Sequence, residues 1–71
     1  MIYKFENEFI AGALEVQQFK KEDGSKSDKT IIAVRVGDEI NTILLNPDQL
    51  YNLIGALHSI QTKIKKEESH G

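Results

Sequence analysis

Apolar and polar positions alternate over residues 2–10, where Tyr3, Phe5 and Phe9 recur against Lys4, Glu6 and Glu8. Successive side chains of a strand leave opposite sides of the backbone, so a period of two predicts a strand with one packed and one wet face. A first strand is expected from Ile2 to Ile10. Ala11-Gly12 permits a turn or sharp bend, and a second strand follows from Ala13 to Lys20, with Leu14 and Val16 opposed to Glu15 and Gln17. Residues 21–29 carry no apolar side chain, and their Gly, Ser and Asp content suits a mobile hairpin tip. Thr30 to Val36 is β-branched and nearly continuous, as in a strand inside a sheet, with Arg35 on the side away from Val34 and Val36. Gly37-Asp38 signals a short turn, and Glu39 to Leu45 reads as a fourth strand.

The period changes at Asn46-Pro47-Asp48. Asn46 is a capping residue, Pro47 suits the first helical position because its missing N–H has no partner there, and Asp48 faces the positive end of the helix dipole. Leu50, Leu53, Leu57, Ile60 and Ile64 then follow steps of three and four, with Ile54 widening the stripe. One face of a long helix is therefore apolar. It must be covered by the sheet of its own chain, by a second helix, or by both. Gly55-Ala56, beside Tyr51, is a small-residue spot where another backbone could come close. Glu67 to Gly71 has no apolar anchor, and residues 67–71 are expected to form a disordered polar tail. The fold class expected is α+β: a four-stranded antiparallel sheet, then one long C-terminal helix packed on it, in a single domain over residues 1–66.

Size adds a constraint. A chain of 71 residues buries only about 60% of the surface its unfolded form exposes, and such domains are marginal alone. There is no cysteine to supply a disulfide or a thiolate zinc site, so self-association is the expected supplement and a homodimer the expected form. No apolar run approaches the ~20 residues that span a bilayer, and residues 1–6 lack a basic segment followed by an apolar one. A soluble, cytoplasmic protein without a membrane partner is expected.

Nine Lys and Arg against eleven Asp and Glu leave a formal net charge of -2, which excludes a uniformly basic polyanion binder but not local patches. Lys20, Lys21, Lys26 and Lys29 gather in or beside the polar tip, where lysines also keep a loop soluble. Lys63, Lys65 and Lys66 fall in the last turns of the helix, where they complement its dipole.

Catalytic chemistry has no visible basis. His58 lies in the helix between Leu57 and Ser59, and His70 lies in the tail. Asp38-Glu39 is most simply a turn, Glu6 and Glu8 a solvated strand face, and the five glycines are scattered rather than grouped into a phosphate loop. The chain is expected to be no enzyme and to hold no cofactor or metal. With Gly55 inside, the helix would make a poor free-standing coiled coil.

The order of four strands and a helix, with a polar tip between the second and third strands, resembles the positive-cofactor-four-like family of transcriptional coactivators, which bind single-stranded DNA. The closest local similarity is Ile43-Leu44-Leu45-Asn46-Pro47-Asp48-Gln49-Leu50 and the helix that follows; the first two thirds of the chain match in pattern. The resemblance implies a dimer formed through the helix, with Leu50, Leu53, Leu57, Ile60 and Ile64 in core and dimer packing, and a curved sheet that presents basic and aromatic side chains to a single strand of DNA or RNA. The counterparts here are Lys20, Lys21, Lys26 and Lys29 in the tip and Lys4 and Arg35 on the strands. Among the rings Tyr3, Phe5, Phe9 and Phe19, an alternating core face claims Phe5 and Phe9, which leaves Tyr3 and Phe19 for base stacking. Glu22, Asp23 and Asp28 in the tip and Glu6 and Glu8 on the first strand depart from a cationic groove. Two other readings use the same residues: a protein-interaction module of the phage or mobile-element accessory type, binding a partner through an exposed strand edge, and a binder of small anions at a dimer interface, with Arg35 as the cation.

Overall fold

The computed structural model describes residues 1–70. Four strands, β1 (Ile2–Glu6), β2 (Gly12–Lys20), β3 (Lys26–Val36) and β4 (Glu39–Leu45), precede one helix, α1 (Pro47–His70). Gly71, the last residue of the expected polar tail, lies outside the described residues. The strands form an antiparallel sheet in the order β1-β2-β3-β4, so each hairpin places neighbours in sequence side by side. This is the α+β architecture expected from the patterning.

Cross-strand partners share a face, and the register sorts the side chains cleanly. Tyr3, Val16, Ile32 and Ile43 form one row; Phe5, Leu14, Val34 and Asn41 form the next on the same side, with Val36 beyond them. This is the apolar face. Ile2, Gln17, Ile31 and Leu44, then Lys4, Glu15, Ala33 and Thr42, then Glu6, Ala13, Arg35 and Ile40 make up the mixed face.

Turn chemistry moves two boundaries from their expected places. The first strand stops at Glu6 because Asn7 turns the chain: its side-chain oxygen accepts from the N–H groups of Phe9 and Ile10, at 2.8 and 3.0 Å, and its own N–H donates to the Gly12 carbonyl. Phe9 therefore does not share a strand face with Tyr3 and Phe5; it sits in the turn, 86% exposed. The polar tip is shorter than expected. Gly24 takes φ +85°, its N–H donates to the Lys21 carbonyl, and the Lys21 N–H donates to the Ser25 carbonyl. That closes a three-residue loop, and the strand resumes at Lys26 rather than Thr30. The β3–β4 turn is Gly37-Asp38, with φ +59° at Gly37 and no positive φ at Asp38; glycine in the first central position is the requirement of a type II′ hairpin.

The entry to α1 is reciprocal. The Asn46 side-chain oxygen accepts from the Gln49 N–H at 2.8 Å, and the Gln49 side chain accepts from the Asn46 N–H at 3.0 Å, a capping box that satisfies two otherwise orphaned donors. Asn46 is the only residue between β4 and α1, so the helix follows the sheet with almost no linker. The helix packs on the sheet through its first two turns. It touches β3 and β4, with Leu50 and Leu53 half-buried, while Ile54, Leu57, Ile60 and Ile64 remain about half exposed.

The chain consequently buries little. Among the described residues only Ala13 and Ser27 are buried. The accessible surface is 6219 Å², against about 4,450 Å² for a compact folded monomer of this mass. The radius of gyration is 15.1 Å, against about 11 Å for a compact domain of this length.

Replacing Asn46 by alanine removes one arm of the capping box and should lower unfolding free energy by about 0.5–2 kcal/mol, measured by urea denaturation. An unchanged midpoint would show that the box does not hold the helix entry. Gly12→Ala should be more damaging, because a Cβ there overlaps the Arg35 carbonyl oxygen across the ladder.

Candidate nucleic-acid interface

The expected cationic residues divide into two groups. Lys4 and Arg35 stand on the mixed face, where carboxylates flank them: the Arg35 Nε is 3.5 Å from Glu15 and the Lys4 amine is 3.9 Å from Glu6. Lys29, on β3, pairs with Asp28 at 3.0 Å. That contact holds the Asp28 carboxyl below its ordinary pKa, first through the hydrogen bond and then through the charge of Lys29.

Lys20 and Lys26 differ from these. They are direct partners across the β2–β3 ladder, just beyond a register shift between Gln18 and Lys20. No carboxylate among the described residues lies within ion-pair distance of either. Like charges directly opposite one another on a sheet are unfavourable. Here both lysines line an open cavity of about 680 Å³, together with Ile2, Gln17, Phe19 and Ile31 among others. The Gln18 side-chain amide crosses to the Ser27 carbonyl at 2.7 Å and pins the two strands together beside the bulge.

Phe19 is thus where the cations are, and Tyr3 is not. Tyr3 belongs to the apolar face, in the row of Val16, Ile32 and Ile43, so the two rings do not form one platform. Lys21 sits in the tip, where the Asp23 carboxylate is turned inward to accept from the Ser25 N–H and hydroxyl at 2.8 and 2.6 Å. The Ser25 hydroxyl, first, and then its backbone N–H draw the Asp23 carboxyl below its ordinary pKa. Gln17, Gln18 and Ile31 had no signal of their own in the sequence. The Glu22-Asp23-Gly24 loop length would have paired Lys20 with Lys26 and so brought them in.

No protein family, curated protein or solved structure matches this chain. His58 lies along a shallow helical groove with Ser59, Thr62, Lys63 and Lys66. No group of three His, Cys, Asp or Glu among the described residues is placed to hold a metal ion, and no helix among them is long and apolar enough to cross a membrane.

Lys20→Glu replaces a like-charged cross-strand pair by an opposite one. It should raise unfolding free energy by roughly 0.2–1 kcal/mol, read by urea denaturation. A loss of stability would mean that the two lysines do not repel one another in the folded chain.

Proposed function

We propose that this protein is a non-enzymatic module that binds single-stranded nucleic acid at the end of its sheet where Phe19, Lys20 and Lys26 meet. The observation that carries the reading is the uncompensated lysine pair beside a ring. A sugar-phosphate backbone supplies the negative charge that Lys20 and Lys26 lack from their own chain, and Phe19 offers a face on which a base can stack, worth ~1–3 kcal/mol per base. Lys21 and Lys26 extend the cationic path toward the tip, and Lys29 joins it when it leaves Asp28. Arg35 and Lys4 contribute less, being engaged by Glu15 and Glu6. A small number of cations implies modest affinity and a shallow salt slope, of about -2 to -3 in log K against log salt for three or four phosphates contacted on a single strand.

The measurement is fluorescence anisotropy with a labelled single strand and the matching duplex, over a range of salt. The single strand should bind more tightly, with that slope. Lys20→Glu should weaken binding about tenfold or more while, by the stability argument above, leaving the fold intact; Asp28→Asn, which frees Lys29, should strengthen it. Equal binding by wild type and Lys20→Glu would remove the site assignment. No binding at low salt would remove the function.

One observation favours a second reading, a protein-interaction module. The free edge strand β4 runs seven residues with one charge, Glu39, no proline and no register shift. Such an edge lacks the usual guards against strand addition and could take an extended segment of a partner. A single stoichiometric partner without oligonucleotide affinity would select this reading.

A further inference from the structure

Gln17 is an amide in an aliphatic row. Its cross-strand neighbours on the mixed face are Ile2, Ile31 and, one strand further, Leu44. Gln17 is half-buried, and its side chain makes no hydrogen bond among the described residues. A side-chain amide offers two N–H donors and a carbonyl acceptor, so this position holds polar capacity that the fold does not use. The adjacent Gln18 differs: its amide already donates to the Ser27 carbonyl at 2.7 Å.

Gln17 lines the same cavity of about 680 Å³ as Phe19, Lys20 and Lys26. The register shift lengthens β3, where residues 27–29 are set against Phe19 alone. The alternation along β2 is therefore kept, and Gln17 and Phe19 leave one face about 7 Å apart. A mostly apolar concavity with a few convergent polar groups is the usual form of a ligand site, the polar groups fixing orientation and specificity. Here a ring, an unused amide and two unpaired cations converge. Together they suit a ligand with a flat face, a hydrogen-bonding edge and an adjacent anion, which are the parts of a nucleotide.

We propose that Gln17 reads the edge of the base that stacks on Phe19, and that the base preferred is adenine. This preference rests on the nucleic-acid reading given above and adds sequence discrimination to it. The Gln17 Nε2 donates to adenine N7 while its Oε1 accepts from the N6 amino group, the bidentate pairing that an amide makes with adenine. Guanine presents two acceptors on that edge, N7 and O6, which leaves the amide oxygen without a donor. A pyrimidine lays one ring rather than two on Phe19 and buries less area there. Lys20 and Lys26 take the phosphates beside the base, and these contacts are the same for every sequence.

The test compares, at low salt, the anisotropy of labelled runs of deoxyadenosine, of 7-deazadeoxyadenosine, in which a C–H replaces the N7 acceptor, and of thymidine. The unaltered protein should bind the deoxyadenosine run about fivefold or more tighter than the 7-deaza run, the lower end of what one bidentate amide-to-base pair discriminates. Gln17→Leu leaves the row aliphatic throughout and is checked for native circular dichroism. It should abolish that ratio while still binding the thymidine run. Equal binding of the two adenine strands by the unaltered protein would overturn the base preference and leave the nucleic-acid function standing. A ratio that survives in Gln17→Leu would do the same, since the discrimination would then come from another residue. Absence of binding to all three strands would remove the function and the preference together.

Discussion

A single sheet has two faces, and this chain has one helix with which to cover them. That shortage governs the rest of the structure. An α+β domain ordinarily stacks its helix on its sheet and builds a core between two layers. Here the helix starts one residue after β4, capped by the Asn46–Gln49 box, and only its first two turns reach the sheet. The apolar rows of β1 to β4 and the apolar stripe of α1 are each well formed and each unfilled. Self-association, the supplement expected of so small a chain, would cover both.

The same arrangement separates stability from binding. If the apolar face is an interface, the mixed face and the tip remain in water. They carry Phe19 at one end and the Glu15–Arg35 pair near the centre, and Lys20 and Lys26 pair beside the tip, beyond the register shift. The lysine pair costs the fold something by repulsion, since neither residue has a carboxylate partner. A site that works against stability and lies off the core is the usual position of a binding surface rather than a packing device. The net charge of -2 is compatible with this, because the carboxylates paired with Lys4, Lys29 and Arg35 leave Lys20, Lys21 and Lys26 as the unpaired cations of the sheet and tip.

Much of the fold was legible in local chemistry. The β-branched run through Val36, the Gly37-Asp38 turn, the strand to Leu45 and the Asn46-Pro47 helix entry all appear where pattern and capping put them. The misplacements share a cause: polar side chains acting on the backbone. Asn7 ends β1 four residues early by capping the turn, which a period-two reading of Phe9 could not show. Gly24, with its positive φ, shortens the tip and moves Lys26 to Lys29 into a strand despite their lack of apolar residues. The helix stripe was visible, but not what covers it, because direction depends on a one-residue link rather than on periodicity. The candidate site was legible as a set of lysines and rings. Its division into paired and unpaired cations, and the separation of Tyr3 from Phe19, required the register.

Dependence of the thermal unfolding midpoint on protein concentration tests the shared core most directly, because partner binding stabilises a fold by mass action. A fold completed by a second copy should give a midpoint that rises steadily as concentration is raised over several decades. A midpoint independent of concentration, in a protein that sediments as a monomer, would contradict it: the chain would then hold its exposed sheet and helix surfaces together alone.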